Sequence, residues 1–186
     1  MTFEELGLKS EVLKSLVDLG FSAPTPIQEQ AIPHLMKEDC DFVGLAQTGT
    51  GKTAAFGLPL ISNIDTSLHL PQGLIICPTR ELCLQISKDL ASYSTYINCN
   101  IVAVYGGADI RKQMTDIKKG APIIVATPGR LMDLIKRKVI QLSQVRYVIL
   151  DEADEMLNMG FKEDIDSILE TTPKEKNVWL FSATMP

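Results

Sequence analysis

Six short apolar runs, separated by stretches of helical periodicity, constrain the fold of this chain more than any other feature. Most of these runs are continuously apolar rather than alternating, which is typical of strands covered on both faces. The predicted strands are Phe42–Ala46, Gly73–Cys77, Asn100–Tyr105, Pro122–Thr127, Tyr147–Asp151 and Val178–Ala183. The predicted helices are Lys52–Asn63, Arg80–Tyr93, Ile110–Lys119, Gly129–Lys136 and Glu163–Glu170.

This alternation predicts an α/β fold with a mainly parallel central sheet and helices on both faces, because right-handed crossovers connect parallel strands. Thr79 and Thr127 precede two of the helices and are N-cap candidates. The 186 residues suffice for one sizeable core, and no repeat or linker divides them, so we expect a single domain. Ligands of such sheets bind at the carboxyl ends of the strands, where every motif described below lies.

Composition narrows the class of protein. The chain is 45% hydrophobic and 22% charged, which is typical of a soluble globular domain. The opening stretch "MTFEELGLKS" lacks the apolar segment of a secretory signal, and no apolar run approaches the roughly 20 residues of a membrane span. We therefore expect a cytoplasmic protein with no membrane partner.

The cysteines and the net charge limit the kinds of site that are possible. The four cysteines form no C-x-x-C pair and no zinc spacing, so we expect core thiols in a reducing compartment. A net charge of −5 argues against a surface that coats a polyanion, although a local cluster can still bind one. Two basic clusters, 111–119 and 136–138, are each typical of a solvated helix face when considered alone.

The segment "AQTGTGKT" joins the first predicted strand to the helix that begins at Lys52. It fits the phosphate-binding pattern G-x-x-x-x-G-K-[ST], except that Ala46 takes the first position. Glycines let backbone N–H groups turn inward around an anion, Lys52 would reach the β- and γ-phosphates, and the Thr53 hydroxyl would hold Mg²⁺. The alternative is a glycine-rich turn with an incidental lysine. The pattern predicts a nucleoside triphosphate site formed by Ala46, Gln47, Thr48, Gly49, Thr50, Gly51, Lys52 and Thr53.

The apolar run Tyr147–Asp151 leads directly into the acidic sequence "DEAD", Asp151 to Asp154. An acid at the tip of a buried strand suits the Mg²⁺-binding role, which we assign to Asp151 together with Thr53. Glu152 would orient and deprotonate the attacking water. The alternative is an acidic surface turn or an acid-rich helix start.

These motifs, in this order, resemble the DEAD-box family of ATP-dependent RNA helicases of bacterial type. "DEAD" follows a phosphate-binding loop and precedes "SAT", and essentially the whole chain is similar to the amino-terminal RecA-like domain of the family. Four further segments resemble family motifs: the adenine-recognising Q motif "GFSAPTPIQ" (Gly20–Gln28) and the RNA-backbone elements "PTREL" (Pro78–Leu82), "GG" (Gly106, Gly107) and "TPGR" (Thr127–Arg130).

The resemblance assigns the adenine base to the amino-terminal region. It implies that Gln28 reads the adenine edge, which selects ATP, and it places Phe21 of the same motif at the nucleotide. Phe3, which lies 17 positions before Gly20, matches the family's upstream aromatic residue that packs on adenine. Without the resemblance, Gln28 is an exposed helix residue that follows Pro26, and Phe3 is an apolar anchor for the first helix.

The resemblance also implies binding of RNA through its backbone, without sequence specificity. Phosphate and ribose would be contacted by Pro78, Thr79, Arg80, Gly106, Gly107, Thr127, Pro128, Gly129 and Arg130. Structural ion pairs remain an alternative for the two arginines. Ser182 and Thr184 would hydrogen-bond to Asp154, which completes a catalytic set of Lys52, Asp151, Glu152, Asp154, Ser182 and Thr184. The alternative is that the two hydroxyls only cap the end of the strand.

A second RecA-like domain, which the family needs, is absent from this chain. Neither "HRxGRxGR" nor a second β/α series is present, so we expect residues 1–186, with a Q-motif region at 1–29, to be a fragment of a longer helicase. Two other classes remain possible: a small-molecule kinase with a phosphate-binding loop, and a nucleotide-gated interaction module without catalysis.

Overall fold

Six strands form the centre of the structure, a computed structural model that describes residues 1–37 and 39–185. The strands are β1 (Phe42–Leu45), β2 (Gly73–Ile76), β3 (Ile101–Val104), β4 (Ile123–Ala126), β5 (Tyr147–Asp151) and β6 (Asn177–Ser182). A short 3-10 helix (Phe3–Leu6) precedes the helices α1 (Ser10–Asp18), α2 (Pro26–Lys37), α3 (Lys52–Asn63), α4 (Arg80–Tyr93), α5 (Ile110–Lys118), α6 (Pro128–Lys136), α7 (Ala153–Asn158) and α8 (Lys162–Glu170).

Every strand pairing is parallel, and the order across the sheet is β1-β6-β5-β2-β4-β3. This order puts the strands that lead to the phosphate-binding loop, "SAT" and "DEAD" side by side in one half of the sheet. The strands that lead to "PTREL", "TPGR" and "GG" are neighbours in the other half. Parallel strands end at one edge, so all of these motifs meet at a single rim.

Two hydrophobic cores lie on opposite faces of the sheet, because alternate strand residues point to opposite sides. In β5, Ile149 belongs to the core that includes residues of α1, α2, α3 and α4, whereas Val148 belongs to the core that includes residues of α5, α6, α7 and α8. Ile75 and Leu74 of β2 divide in the same way. Burial on both faces explains why the strands are continuously apolar rather than alternating.

The predicted fold class and all six predicted strands are confirmed, with bounds that differ by at most one residue at each end. All five predicted helices are present as well. The prediction gave no bounds for the 3-10 helix, α1 or α2, and it did not include α7. The six residues of α7 complete fewer than two turns, which is too short for a recognisable apolar period. Pro33 interrupts the pattern of α2.

The N-cap predictions have different outcomes for the two threonines. Thr79 has extended backbone angles, and its hydroxyl accepts a hydrogen bond from the Leu82 N–H at 3.2 Å. Thr127 also stands at the N-cap position, but its side chain makes no cap hydrogen bond. Pro128 follows as the first helical residue, and its fixed φ angle favours the start of α6 without a side-chain cap.

The expectation of core thiols is correct for Cys77 and Cys83, which are fully buried. Cys99, in the connection before β3, is partly exposed but packs against the first core, whereas Cys40, in the connection before β1, is partly exposed and is not a core residue. Within residues 1–37 and 39–185, no helix has both the length and the apolar character needed to cross a bilayer.

Candidate functional site

The phosphate-binding loop lies between the carboxyl end of β1 and the start of α3. Gly49 and Gly51 have φ angles of +82° and +88°, a left-handed conformation that glycine adopts without strain and that turns the neighbouring N–H groups toward the loop interior. The Thr50 hydroxyl donates to the Gln47 carbonyl at 2.6 Å, which closes the loop on itself. The 12-residue helix α3 adds the partial positive charge of its amino end, so the loop is suited to an anion.

Lys52 and the two acids of "DEAD" converge at this loop. The Lys52 side chain is 6% exposed, and its Nζ lies 3.7 Å from Asp151 Oδ1. The same ammonium donates to Glu152 Oε1 at 3.3 Å, across 100 positions of sequence. The three charges therefore form one cluster at the carboxyl ends of β1 and β5, with Lys52 and Asp151 buried and Glu152 partly exposed. This is the geometry that a shared nucleotide and metal require.

Asp151 is the most deeply buried acid of this cluster, with 2% of its surface exposed. Burial raises its pKa to about 6; the nearby Lys52 charge opposes this rise, and the Glu152 carboxylate adds to it. The Asp151 carboxylate also accepts the Glu152 N–H at 3.0 Å. A divalent cation would relieve the desolvation that these contacts leave uncompensated.

Glu152 has an unusual backbone conformation. Its φ and ψ angles are 56° and 47°, and among the described non-glycine residues only Lys138 also has a positive φ. The left-handed region costs an ordinary residue about 1–2 kcal/mol. Glu152 stands between the last residue of β5 and the first of α7, so this conformation turns the chain sharply and brings the carboxylate back to Lys52.

The oxygen donors at this loop fit Mg²⁺. Thr53, Asp151 and Glu152 line one cavity of about 220 Å³ together with residues of the phosphate-binding loop. Hydroxyl and carboxylate oxygens are hard ligands, and Mg²⁺ in nucleotide sites commonly takes only one or two of them from the protein, with water and phosphate supplying the rest. Thr53 and Asp151 are the residues that would hold it.

Gln28 is buried, at 3% exposure, so its interpretation as an exposed helix residue is wrong. Its Oε1 accepts from the Thr25 N–H at 3.0 Å, and its Nε2 donates to the Gly51 carbonyl at 3.1 Å. A Cβ placed on Gly51 would come within 2.4 Å of that Nε2, so only glycine allows this approach. The Q-motif segment is thus packed directly on the phosphate-binding loop.

The two aromatic residues predicted at adenine have different environments. Phe21 lines the cavity, whereas Phe3 is 5% exposed and packs on Phe21 with ring centroids 5.9 Å apart. Phe21 also makes an edge contact with Tyr93 of α4 at 6.0 Å. Phe3 thus anchors the amino-terminal segment in the core and contacts the cavity wall from behind.

Sequence reasoning missed the wall that α4 contributes to the cavity. Leu82, Asp89 and Tyr93 line it opposite the start of α3. Burial raises the pKa of Asp89 and also that of Tyr93. The three residues are spaced seven and four positions apart and so share one face of α4. This spacing is present in the sequence, but only the packing of α4 on α3 shows that the face borders the cavity.

"DEAD" and "SAT" are joined by hydrogen bonds. The Thr184 hydroxyl and N–H donate to Asp154 Oδ2 at 2.9 and 3.2 Å, and the Asp154 N–H donates to the Ser182 hydroxyl at 3.3 Å. Burial favours a higher pKa for Asp154, but the hydrogen bonds from Thr184 and Ser182 outweigh it and lower the pKa. The Ser182 carbonyl also accepts the Ala46 N–H at 3.0 Å, which ties "SAT" to the phosphate-binding loop.

The segments predicted to contact RNA meet at the rim formed by β2, β4 and β3. The Arg80 guanidinium lies over the Tyr105 ring, 5.1 Å from its centroid. Gly107 has a φ of +81°, and a Cβ on it would come within 3.5 Å of Arg80 Nη1. Arg130 donates to the Ala108 carbonyl from both Nη atoms at 3.2 Å. The other predicted residues at this rim are Pro78, Thr79, Gly106, Thr127, Pro128 and Gly129.

The alternative interpretation of the arginines as structural ion pairs is not supported. Within the described part of the chain, neither Arg80 nor Arg130 pairs with a carboxylate. Arg137 of a basic cluster does so, with Asp133 at 2.9 Å. Lys119 lies 3.7 Å from Asp116, so these clusters behave as solvated helix faces.

A model of the DEAD/DEAH box helicase family matches residues 25–186. The chain belongs to the DEAD/DEAH box helicase family. The resemblance inferred from the motifs is thereby confirmed. A crystal structure of a DEAD box protein from the hyperthermophile Methanococcus jannaschii is similar to this domain with a TM-score of 0.96 and 43% identity, covering 100% of this chain and 51% of that one.

Curated relatives of this DEAD-box domain come from several bacteria. The chain is 51% identical to the DEAD-box ATP-dependent RNA helicase CshA of Bacillus cereus, covering 100% of this chain and 35% of the relative. It is 52% identical to the ATP-dependent RNA helicase CshA of Listeria monocytogenes, covering 99% and 35%. It is 48% identical to the ATP-dependent RNA helicase DeaD of Klebsiella pneumoniae, covering 100% and 29%. The chain thus spans about a third of the length of these relatives.

Proposed function

We propose that residues 1–186 are the amino-terminal RecA-like domain of an ATP-dependent RNA helicase, with the Q-motif region at 1–29. One observation carries this proposal: Lys52 Nζ lies 3.7 Å from Asp151 and 3.3 Å from Glu152, at the loop that begins α3. The relatives named as ATP-dependent RNA helicases support the choice of ATP and RNA.

In the proposed nucleotide site, each residue has a separate task. The loop N–H groups and Lys52 bind the phosphates, and Gln28 and Phe21 border the side where the base would lie. Mg²⁺, held by Thr53 and Asp151, would neutralise charge on the phosphates. Glu152 would accept a proton from the attacking water, because its contact with Lys52 places the carboxylate where the phosphates would be held.

In the proposed RNA site, backbone N–H groups, hydroxyls and arginines contact phosphate and ribose. Such contacts fix the register of the strand without reading bases, so the domain would bind RNA irrespective of sequence. Asp154 follows β5 and Thr184 follows β6, and their hydrogen bonds tie "SAT" to the acids of the hydrolysis site, a contact that would couple hydrolysis to bound RNA. A cleft of about 480 Å³ lined by Thr48, Thr79 and Glu152 connects the same regions.

The full protein would carry a second RecA-like domain, as the greater length of the relatives suggests. That domain would complete both sites when ATP and RNA bring the two together. Closure would bend the bound strand and separate a short duplex locally, and hydrolysis with product release would reopen the cleft. The proposed compartment is the cytoplasm.

The nucleotide site is tested by titrating the chain with a fluorescent ATP analogue in the presence of Mg²⁺. We expect Lys52→Ala to lower the affinity at least about tenfold, because a charge-assisted contact to phosphate is lost. Lys88→Ala, which alters an exposed lysine of α4, is the matched control and should bind like the parent. Equal affinity of the parent and Lys52→Ala would exclude this site.

The kinase alternative differs in what changes nucleotide affinity. Poly(U) should raise the affinity of the helicase for nucleotide, whereas a kinase would respond to a small-molecule substrate and not to RNA.

The substitution Glu152→Gln in the two-domain protein distinguishes an active helicase from a nucleotide-gated module without catalysis. We expect this change to abolish most phosphate release, while Glu155→Gln, an exposed acid in the same helix turn, should leave it intact.

A further inference from the structure

A buried glutamine joins two of the segments assigned to RNA binding. Gln113 lies in α5, outside the motifs discussed above, and is 6% exposed. Its Nε2 donates to the Tyr105 carbonyl at 3.0 Å, and its Oε1 accepts from Arg130 Nη1 at 3.0 Å. One side chain therefore contacts both the residue before the glycine pair and the arginine of "TPGR".

The two partners of Gln113 place opposite demands on it. A main-chain carbonyl can only accept and a guanidinium can only donate, so one side chain must supply a donor and an acceptor at the same end. Glutamate could accept from Arg130 but has no N–H for Tyr105. Asparagine carries the right groups but is one methylene shorter. A buried polar group that loses its partner is costly, so glutamine suits this position better than glutamate or asparagine does.

Arg130 is held from two sides. Besides the bond to Gln113, its two Nη atoms both donate to the Ala108 carbonyl at 3.2 Å. These bonds use three of the five N–H donors of the guanidinium, and two remain for a ligand. Arg130 is thus fixed in orientation and still able to bind phosphate.

Tyr105 extends the same set of contacts to "PTREL". Its carbonyl is bonded to Gln113, and its ring lies under the Arg80 guanidinium. Arg80 lies on the helix that follows β2, and Arg130 lies on the helix that follows β4. The segment between Tyr105 and Gln113 contacts both arginines and therefore fixes their relative positions.

We propose that Gln113 is a positioning residue for RNA binding: its amide holds the Tyr105–Ala108 loop and Arg130 in the arrangement that the RNA backbone meets. This inference rests on the proposed function, because it takes this rim as the RNA-binding surface. Gln113 itself is buried and does not contact RNA. Without the Gln113 amide, the loop and the Arg130 guanidinium would become ordered only when RNA binds, and this ordering would reduce the binding free energy.

The test compares Gln113→Leu with Gln72→Leu in the 186-residue chain. Gln72 is a matched control because it is 3% exposed and, like Gln113, makes one hydrogen bond as donor and one as acceptor, both to the main chain of Asp65, at 2.7 and 2.8 Å. It precedes β2 and so lies at the opposite edge of the sheet. Affinity for a fluorescent single-stranded oligo(U), affinity for an ATP analogue, and stability in urea are measured for each.

Both variants should lose stability, but only Gln113→Leu should lose oligo(U) affinity, by about tenfold. Affinity for the ATP analogue should stay at the parent value in both. Parent-like oligo(U) affinity of Gln113→Leu, or an equal loss in Gln72→Leu, overturns the role of Gln113 and leaves the proposed function standing. Absence of oligo(U) binding by the parent overturns both.

Gln113→Asn provides a second route if the leucine variant does not fold. It keeps a polar amide in the core but is one methylene too short to contact both partners. Its oligo(U) affinity should fall while its affinity for the ATP analogue is retained. Retention of both affinities by a folded Gln113→Asn chain also overturns the proposal.

Discussion

At the scale of single residues, the buried acid Asp151 makes the unfolding free energy of the chain depend on pH. Burial raises the pKa of Asp151 from 3.8 to about 6 in the folded chain, so the folded state binds this proton more tightly than the unfolded state. Between these two values the unfolding free energy therefore increases as the pH falls, and this contribution is lost as the pH rises through about 6.

We expect Asp151→Asn to remove that part of the pH dependence. Urea denaturation in EDTA, from pH 4.5 to 7.5, should give a flatter curve of unfolding free energy for the variant than for the parent. Because neither nucleotide nor Mg²⁺ is present, the comparison reports on the protein environment of the carboxyl group: its burial and its contacts with Lys52 and Glu152. Parallel curves for the two proteins would show that Asp151 keeps an ordinary pKa in the folded chain.

At the scale of the elements, the two threonines that precede α4 and α6 should differ in how much each stabilises the chain. The Thr79 hydroxyl caps α4, whereas the Thr127 hydroxyl makes no cap bond. We expect Thr79→Ala to cost about 1 kcal/mol of unfolding free energy and Thr127→Ala to cost much less. Urea denaturation measures both, and equal losses would contradict the assignment of the cap.

The packing of β1 on β6 depends on a glycine in β1. A Cβ on Gly44 would lie 2.8 Å from Phe181 Cε1, and Phe181 is fully buried with its ring 5.3 Å from that of Phe56. The ring has no space to move, so we expect Gly44→Ala to destabilise the chain by about 1–3 kcal/mol.

Gly129→Ala is the matched control for that change. Nothing lies within 4 Å of a Cβ at Gly129, which stands in the first turn of α6. Its stability in urea should equal or slightly exceed that of the parent, because alanine favours helix over glycine. A loss at Gly129 as large as that at Gly44 would mean that close packing is not the cause.

At the scale of the whole molecule, we expect the activity of this domain to depend on the proposed second domain. In related phosphoryl transfers, an arginine supplied from a second body is worth about 10³–10⁵ in rate. We expect the 186-residue chain to bind nucleotide, hydrolyse it very slowly and leave an RNA duplex intact. Steady-state phosphate release and a duplex-unwinding assay, each compared with the two-domain protein, measure this. RNA-stimulated turnover by the isolated chain at the rate of the two-domain protein would contradict it.

Much of the fold could be predicted because the relevant signals are local. Strands buried on both faces need runs of apolar residues such as Tyr147–Asp151, and a phosphate loop needs glycines at fixed spacing before a helix. These requirements act over a few residues, so they appear directly in the order of the letters. The short helix α7 left no such signal.

The sequence by itself determined the fold class, the phosphate-binding loop and the acids at the tip of β5, since each follows from the chemistry of neighbouring residues. Only the tertiary structure decided that β6 lies between β1 and β5, that Gln28 is packed under Gly51, and that Gln113 connects Tyr105 to Arg130. These features join residues that are distant in sequence. The packing of the whole chain selects them, and no local pattern specifies them.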